Sequence, residues 1–305
     1  QDEIDRWQDL MESLYLRHPS PGVHSAAAWS LANWDLAQPE SPTESAPRDR
    51  RWQVTPEGLT LIHIQPGAFS TIMPDGRPEK VSIDTDYLIS DREISVDLFR
   101  RFMNNDQKYT GEKPLDWEGE RKYASPTGAH PIQQVSWNDA VMCCNWLSDR
   151  EGYEACYVRS SGESGSSDWT LVDDANGYRL PSDAQWEYAC RAGSNTQFCC
   201  GDSDALLDQY AVFRREDQTE PCGSRMCNAW GLFDMHGNVW EWVGEYPAGI
   251  AELAAMKDKR INPSLKILRG GSRGGTSTQL RSQWRNWHLP VVRSQALGFR
   301  VVRRP

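Results

Sequence analysis

The chain has 305 residues, with 33 Lys and Arg against 43 Asp and Glu, a net charge of −10, and 38% hydrophobic residues. This composition is that of a globular protein with one large or two smaller domains, and it excludes a wholly disordered or collagen-like chain. No stretch approaches the roughly 20 apolar residues of a membrane span, and no signal peptide is visible after Gln1. The acidic total argues against a dedicated nucleic-acid binder.

Residues 1–36 are predicted to form a pair of short helices. The apolar residues of the first helix recur at spacings of three and four, which predicts one apolar face: Ile4, Trp7, Leu10, Met11 and Leu14. The second helix, over 23–34, is rich in alanine. Residues 37–51 are rich in Pro, Ser and charge, which predicts a linker. A lone helix pair buries little surface, so this one needs a partner.

Residues 52–305 are predicted to form one α+β domain of short elements and long loops. The predicted strands and helices follow from apolar patterning and capping residues. Strands are expected over 59–64, 81–84 and 298–302, and helices over 96–104, 139–151 and 183–192. Residues 159–168 are expected to be a flexible insertion.

The basic residues concentrate at the C-terminal end of this domain. Residues 257–305 contain 12 Lys and Arg and one acid, Asp258, so they carry +11 and the remaining residues carry −21. Such a segment either forms a basic face for an anionic ligand or supplies arginines that pair with acids elsewhere in the fold. The arginines are spaced singly, which favours internal pairing.

Five motifs follow one another in the domain. They are GYRLPS at 177–182, EYACRAG at 187–193, GLFDMHGNVWEW at 231–242, LRGGS at 268–272 and GFR at 298–300. In this order they closely resemble the formylglycine-generating enzyme (sulfatase-modifying factor) family, over about residues 55–303. The resemblance implies that family's loop-rich variant of the C-type-lectin-like fold. The helix pair resembles the piece that precedes such domains in large bacterial signalling proteins.

The catalytic residues that the resemblance would require are missing. The family's oxidases hold copper through two cysteines shortly after the Arg-Gly-Gly-Ser motif, but residues 273–280 contain no cysteine and none follows Cys227. The family's iron-dependent enzymes need histidines from a preceding helical bundle, and the N-terminal segment offers only His18 and His24. We therefore predict a non-catalytic ligand- or protein-binding or assembly module and expect no copper. Two alternatives stay open: an oxidoreductase-type enzyme of the same family with an unrecognised active site, and a self-assembling structural protein.

The resemblance places binding residues between the Arg-Gly-Gly-Ser and Gly-Phe-Arg motifs. The candidates are Arg273, Gln279, Gln283, Trp284, Asn286, Trp287 and His288. Trp and Arg on a rigid scaffold are typical of binding hot spots, although the two tryptophans could instead belong to the core. The partner would be an unknown protein or peptide, or a second copy of the chain. The stretch also resembles the variable region of retroelement-diversified receptors, but its Gln and Trp residues do not arise easily at the Asn-type codons that vary there.

The motif around residues 234–241 resembles the family's calcium-binding loop. The implied ligands are the carboxylates of Asp234 and Glu241 with the backbone carbonyls of Gly237 and Val239, which are the hard oxygen donors that calcium prefers. One structural calcium ion is therefore expected. The alternative is that the carboxylates cap backbone amides without a metal. His236, in the middle of the loop, is predicted to be structural.

The eight cysteines fall into two groups. Cys143, Cys144, Cys156 and Cys190 are predicted to be buried as small hydrophobic residues. Three interpretations stay open for the second group, namely two disulfides, free thiols or a zinc site. This group consists of Cys199, Cys200, Cys222 and Cys227. Disulfides would favour an extracytoplasmic location.

Overall fold

The N-terminal region folds as two helices, α1 (Asp2–Arg17) and α2 (Pro21–Asn33), within the residues predicted to form a helix pair. The computed structural model describes residues 2–40, 49–73, 76–105, 119, 122–159, 169–244 and 265–305. Parts of the predicted linker and of the predicted insertion lie outside the described residues. The helices share a small apolar core formed by Tyr15, Ala27, Ala28 and Leu31.

The predicted apolar face of α1 is only partly turned inward. Tyr15 is buried and Leu14 is partly buried against the small core, but Ile4, Trp7 and Leu10 are exposed. The spacing correctly predicted a helix, whereas the face that it buries is set by where α2 lies. Since α2 meets only the C-terminal half of the apolar stripe, the first half faces solvent in the described structure.

The helix pair is docked on the domain through specific polar contacts. The indole of Trp52 donates to the carbonyl of His18 at 2.8 Å, and the Ser25 hydroxyl donates to the carbonyl of Gly231 at 2.8 Å. The His24 ring stacks on Trp52 with ring centroids 3.6 Å apart, and on its other neighbour Tyr15 at 4.6 Å. The domain is thus the partner that the helix pair needs.

Short strands make up the sheets of the domain. In chain order they are β1 (Trp52–Val54), β2 (Thr60–Ile64), β3 (Gly67–Ile72), β4 (Pro78–Ile83), β5 (Tyr87–Ser90), β6 (Tyr157–Arg159), β7 (Trp169–Leu171), β8 (Ala211–Val212), β9 (His236–Gly237), β10 (Trp240–Trp242), β11 (Lys266–Arg269), β12 (Asn286–His288), β13 (Leu297–Phe299) and β14 (Val302–Arg303). One sheet has the order β1-β2-β5-β14 and is antiparallel; the other has the order β12-β11-β10-β13, in which β10 and β13 run parallel. Three two-stranded pairs, β3–β4, β6–β7 and β8–β9, complete the described set.

The predicted C-terminal strand over 298–302 is wrong in one respect, because it is two strands in different sheets. β13 pairs with β10 in the second sheet, and β14 pairs with β5 in the first. Arg300 lies between them and turns its side chain inward to an ion pair with Glu241, with Nε to Oε2 at 2.6 Å. The last residues of the chain therefore tie the two sheets together.

Three helices of the described part of the domain pack against the sheets: α3 (Val96–Asn105), α4 (Trp137–Glu151) and α5 (Asp183–Arg191). All three agree with the predicted helices to within about two residues. Ser136 and Ser182 each accept a hydrogen bond from the backbone N–H three residues on, and the side chain at that position accepts one from the backbone N–H of the cap serine. This reciprocal capping is a local signal, which explains why the sequence locates these helix starts so well.

Most of the buried apolar residues of the described chain belong to two large clusters. One surrounds α3 and α4, and the other lies between the first sheet and α5. Trp186, Trp240 and Trp242 are buried in these clusters, as are the four cysteines of the first group. None of the described helices is both long and apolar enough to cross a membrane.

Candidate binding site

The candidate site is a surface formed by residues 284–291, which we call the binding face. Trp284 and Trp287 are 38% and 44% exposed, and Leu289 and Val291 beside them are also exposed. The segment includes β12, which ends the described order of the second sheet. These four exposed apolar side chains fall within eight residues, a concentration that is typical of an interaction site. The alternative that the two tryptophans belong to the core is therefore wrong.

A buried network of charges lies beneath the binding face. Arg269, on β11, places Nε 2.6 Å from Asp183 Oδ1 and Nη2 2.6 Å from Glu187 Oε2. Arg285, within the binding face, places Nη2 2.8 Å from Asp183 Oδ2 and 3.0 Å from Glu187 Oε2. Two carboxylates on α5 thus hold two guanidiniums, and all four side chains are almost fully buried. Arg191 also reaches Glu187 at 2.8 Å.

The network fixes the backbone of the binding face. Nη1 of Arg269 donates to the carbonyls of Ser282 and Trp284, both at 3.0 Å, and Nη1 of Arg285 donates to the carbonyl of Gln283 at 2.9 Å. Charge-assisted hydrogen bonds from a planar guanidinium hold their partners in a defined geometry. The tryptophans therefore project from a backbone that is already in place before a partner arrives.

The two carboxylic acids of this network are ionised at neutral pH. Burial acts to raise the pKa of Asp183 and of Glu187, but the guanidiniums of Arg269 and Arg285 outweigh it and hold both pKa values below their usual range. Both carboxylates are therefore ionised. The C-terminal arginines do pair inside the fold here, as they do at Arg293 with Asp139 and at Arg300 with Glu241.

The seven predicted binding residues divide into two kinds. Trp284, Trp287 and His288 are exposed on the binding face. The other four make hydrogen bonds within the protein. Arg273 is buried and donates to the carbonyl of Gln295, and the Gln279 side chain accepts from the N–H of Thr276. The Asn286 side chain accepts from the N–H of Trp287, and the carbonyl of Gln283 accepts from Arg285. Sequence reasoning missed Leu289 and Val291, although the apolar run after His288 was a signal for them.

The predicted calcium loop brings its two carboxylates into one buried cluster, but Glu241 is already engaged. Arg300 donates to both of its oxygens, at 2.6 and 2.7 Å, and the indole of Trp186 donates to Oε2 at 2.8 Å. Asp234 accepts from the N–H of Gly223 through Oδ2, while its buried Oδ1 has no hydrogen-bond partner. The arrangement therefore fits calcium at Asp234 better than at Glu241.

The cluster contains a further carboxylate that sequence reasoning missed. Glu93 is buried and accepts hydrogen bonds from the side chain of Asn238 at 3.0 Å and the N–H of Val239 at 3.3 Å. Burial, with the neighbouring charges of Asp234 and Glu241, raises the pKa of Glu93 well above its usual range, and burial raises that of Asp234 to about 6. Within the described part of the chain, no group of three or more His, Cys, Asp and Glu side chains is arranged to hold a metal ion. A calcium ion here would depend on backbone carbonyls as well.

His236 has the structural role that the sequence predicts. Its Nδ1 lies 2.7 Å from the carbonyl of Leu280, which can only accept, and its Nε2 lies 3.1 Å from the N–H of Cys199, which can only donate. These partners define the neutral tautomer with the proton on Nδ1, and burial lowers the pKa of the ring. His288, by contrast, lies exposed on β12.

All eight cysteines are free thiols, so the two disulfides considered for Cys199, Cys200, Cys222 and Cys227 are not shown. The stretch after the Arg-Gly-Gly-Ser motif ends in a short 3-10 helix, Ser277–Leu280, whose Leu280 is buried in an apolar cluster with Phe198 and Leu207. Apolar packing occupies the region in which the family's oxidases keep their copper thiols.

The fold and its motifs define a formylglycine-generating-enzyme type of C-type-lectin-like domain. Residues 49–305 match the family described as the sulfatase-modifying factor enzyme 1-like domain. The chain belongs to this family, which confirms the resemblance. Treponema denticola variable protein 1 has a similar structure, with a TM-score of 0.65 and 26% identity over 81% of this chain and 95% of that one. PvdO from Pseudomonas aeruginosa, with a TM-score of 0.63 and 23% identity over 88% of this chain and 100% of that one, shares the fold.

Similar sequences have more than one named role. Chaperone protein LppX of Paenibacillus barcinonensis is 26% identical over 215 residues, which are 61% of this chain and 71% of that protein. The formylglycine-generating enzyme of Mycobacterium tuberculosis is 31% identical over 210 residues, 58% of each. The enzyme of Streptomyces coelicolor is 28% identical over 205 residues, 61% of this chain and 56% of that enzyme. The match thus spans little more than half the length of these two enzymes.

Proposed function

We propose that this chain is a non-catalytic protein- or peptide-binding module and that its partner contacts the binding face. The observation that carries the proposal is that Trp284 and Trp287 are exposed on a backbone held by buried guanidiniums. Tryptophan is among the residues that dominate binding energy, and a backbone fixed in advance avoids the entropy cost of ordering a loop on association.

The side chains of the binding face indicate which kind of partner it suits. It offers aromatic and aliphatic side chains with His288 among them, while Arg285, the arginine of this face, points into the fold and is neutralised there. The face therefore suits an apolar or aromatic peptide segment better than a polyanion. That one relative is named a chaperone protein agrees with protein binding.

The test is a selection of binders from a random displayed-peptide library, followed by calorimetric affinities for single variants. We expect Trp284→Ala and Trp287→Ala each to weaken the selected peptides by about 30-fold or more, the effect of a hot spot of about 2 kcal/mol. Trp7→Ala is the matched control, because Trp7 is similarly exposed but lies on α1. Peptides that bind both variants as tightly as the original protein would contradict the proposal.

Two further measurements distinguish this proposal from the two alternatives, an enzyme and a self-assembling structural protein. Redox-active copper or iron bound at one per chain in the purified protein would favour an enzyme. A particle size that grows with protein concentration in light scattering would favour self-assembly, with a second copy as the partner.

We also propose a single structural calcium ion at the Asp234 loop. The support is the buried, unpartnered Oδ1 of Asp234 and the charge of the cluster, in which four carboxylates face two guanidiniums. The carboxylates are Asp91, Glu93, Asp234 and Glu241, and the guanidiniums are Arg92 and Arg300. Such an excess of buried negative charge favours either a bound cation or a proton.

A further inference from the structure

A cavity of about 350 Å³ lies where the helix pair meets the domain. Tyr15 of α1 and His24 of α2 line one side together with residues 38–40, and residues 57–60 and 91–93 of the domain line the other. The cavity shares no lining residue with the binding face, so the proposed binding function makes no use of it.

Two buried side chains of the helix pair present polar atoms to this cavity. Tyr15 is 8% exposed and His24 is 2% exposed. None of the described residues forms a hydrogen bond with the Tyr15 hydroxyl or with Nε2 of His24. Both atoms keep some accessible surface, and the space beside them is the cavity. Because buried polar groups are nearly always hydrogen-bonded, these atoms indicate an occupant that forms hydrogen bonds.

The hydrogen bonding of these two side chains defines what the occupant must offer. Nδ1 of His24 lies 2.6 Å from the backbone carbonyl of Tyr15, which can only accept, so Nδ1 carries a proton. Burial lowers the pKa of His24 to about 4, so the ring is neutral and Nε2 is an acceptor. Burial and the Asp91 carboxylate raise the pKa of Tyr15, so its hydroxyl stays protonated. An occupant must therefore donate to Nε2.

The charges around the cavity favour a positively charged occupant. Among the described residues that line it, four carry carboxyl groups and two carry guanidiniums: Glu40, Glu57, Asp91 and Glu93, against Arg92 and Arg101. Each guanidinium is already paired, Arg92 with Asp91 at 2.7 Å and Arg101 with Glu57 at 2.7 Å. The lining therefore carries an excess of negative charge, whether or not Glu93 is protonated.

We propose that this cavity binds a small organic cation through a primary ammonium group, which donates to Nε2 of His24, the Tyr15 hydroxyl and the Asp91 carboxylate. An ammonium group has three N–H donors, which match these three acceptors. The charge of Asp91 acts on both Tyr15 and His24, so the three lie at the same end of the cavity.

The size and the remaining walls of the cavity suit an organic ligand rather than a bare metal ion. Its volume lies at the lower end of the range of about 300 to 1,000 Å³ that is typical of small-molecule sites. Val54, Leu59 and Leu98 also line it and offer apolar contacts to the hydrocarbon part of the ligand. Because the ligand would contact both the helix pair and the domain, its binding should stabilise their docking.

The test compares primary amines with alcohols of the same shape. The probes are butylamine, cyclohexylamine and benzylamine beside butanol, cyclohexanol and benzyl alcohol, at millimolar concentrations with the full chain, by ligand-observed NMR and calorimetry. We expect at least one amine to bind about tenfold more tightly than its alcohol, because hydrogen bonds to a charged group are stronger than neutral ones.

Single variants locate the site. Tyr15→Phe and His24→Phe each remove one acceptor and keep an aromatic ring, and each should weaken amine binding by about fivefold or more. Tyr153→Phe is the matched control, because Tyr153 is also partly buried but does not line the cavity. It should leave the affinity for the amine unchanged.

Equal affinities for amines and alcohols, or no binding of any of the three amines, would overturn the proposal. So would amine binding that neither Tyr15→Phe nor His24→Phe weakens. If one of these variants does not fold, the other variant and the contrast between amine and alcohol still decide. Peptide affinity at the binding face is a separate readout, so the failure of either proposal leaves the other standing.

Discussion

Individual buried arginine side chains join elements of this fold that lie far apart in the sequence. Arg269 joins β11 to α5 and to the backbone of the binding face, and Arg300 joins β10 to the segment between β13 and β14. A lysine offers a point charge rather than a planar fork, so it cannot satisfy two carboxylates and two carbonyls at once. A lysine at these positions would keep the positive charge but would lose part of the hydrogen bonding.

Replacing Arg269 by lysine should therefore be costly. We expect Arg269→Lys to lower the free energy of unfolding by about 3 kcal/mol, because a broken buried pair leaves Asp183 and Glu187 incompletely compensated. Urea unfolding gives the value. Arg100→Lys is the control, since Arg100 pairs with Asp97 at an exposed site and should change stability by less than about 0.5 kcal/mol. Equal effects of the two substitutions would contradict this role of Arg269.

The two carboxylates of the predicted calcium loop should respond differently to substitution. If calcium binds only the folded chain, millimolar calcium raises the melting temperature, and Asp234→Asn removes that rise. Glu241→Gln should destabilise the protein with or without calcium, because it weakens the hold on the buried Arg300. A melting temperature unaffected by calcium and by a chelator would show that the calcium proposal is wrong.

At the scale of whole elements, the docking of α2 depends on close backbone approach. A Cβ added at Gly22 would lie 2.6 Å from the carbonyl oxygen of Ala229, and one added at Gly231 would lie 2.5 Å from that of Pro21. Neither position has room for a side chain. The helix pair therefore fits the domain surface as a backbone-to-backbone contact, which neither the composition nor the periodicity of the sequence reveals.

Gly22→Ala should destabilise the protein, although replacing glycine by alanine in a helix usually stabilises it. Alanine normally stabilises a helix by up to about 1 kcal/mol relative to glycine. Here the clash with Ala229 should outweigh that gain and lower the free energy of unfolding by about 1 to 2 kcal/mol. Ser30→Ala on the same helix, away from this contact, should change it by less than about 0.5 kcal/mol. A stabilised Gly22→Ala protein in urea unfolding would show that α2 is not seated as described.

The docking of the helix pair should weaken in mild acid through His24. Burial lowers the pKa of His24 to about 4, below the value of about 6.5 for a free histidine. Between these pH values the unfolded chain binds the proton and the folded chain does not, so stability falls as the pH drops from about 6.5 to 4. The expected loss from this group is about 3 kcal/mol at most.

The variant His24→Phe isolates this effect. It keeps an aromatic ring in the stack with Tyr15 and Trp52 but cannot be protonated. The difference in unfolding free energy between the two proteins should therefore change with pH only in that window, in favour of the phenylalanine variant at low pH. The charged neighbours Arg50, Asp91 and Arg92 are common to both proteins and cancel in the difference. A difference that is constant with pH would contradict a buried, neutral His24.

For the molecule as a whole, the sequence predicted what depends on neighbours along the chain. The motifs identified the family, and reciprocal capping located the starts of α4 and α5. The outward face of α1 and the division of the C-terminal strand escaped prediction, because each is decided by a distant partner. Glu241 and Arg300 are 59 residues apart, and their pairing both splits the strand and changes the expected calcium site.

The same limit applied to the candidate site. The residue types after the Arg-Gly-Gly-Ser motif indicated a binding surface, but the sequence could not tell which side chains faced outward. Trp284 and Trp287 proved exposed, whereas Arg273 and Gln279 are held in the scaffold. The carboxylates that fix the surface lie on α5, about 100 residues earlier in the chain.

At this scale we expect binding and stability to be separable. Because Trp284 and Trp287 belong to none of the buried apolar clusters, their double substitution by serine should lower the melting temperature by no more than about 5 °C. Calorimetric scanning provides the measurement, with Trp186→Phe, a substitution of a fully buried tryptophan, as the destabilising reference. Loss of cooperative unfolding in the double variant would show that the indoles belong to the folding core after all.

The clamp of Arg269 and Arg285 beneath the binding face also bears on how this surface can evolve. Because the charges that hold the loop reach its backbone from below, the backbone does not depend on the outward side chains for its conformation. Mutations there would escape the stability threshold that purges most substitutions elsewhere. Descendants of one ancestral chain could thus acquire new partners by exchanging a few surface residues, and a laboratory library randomised at those positions should yield mostly well-folded members.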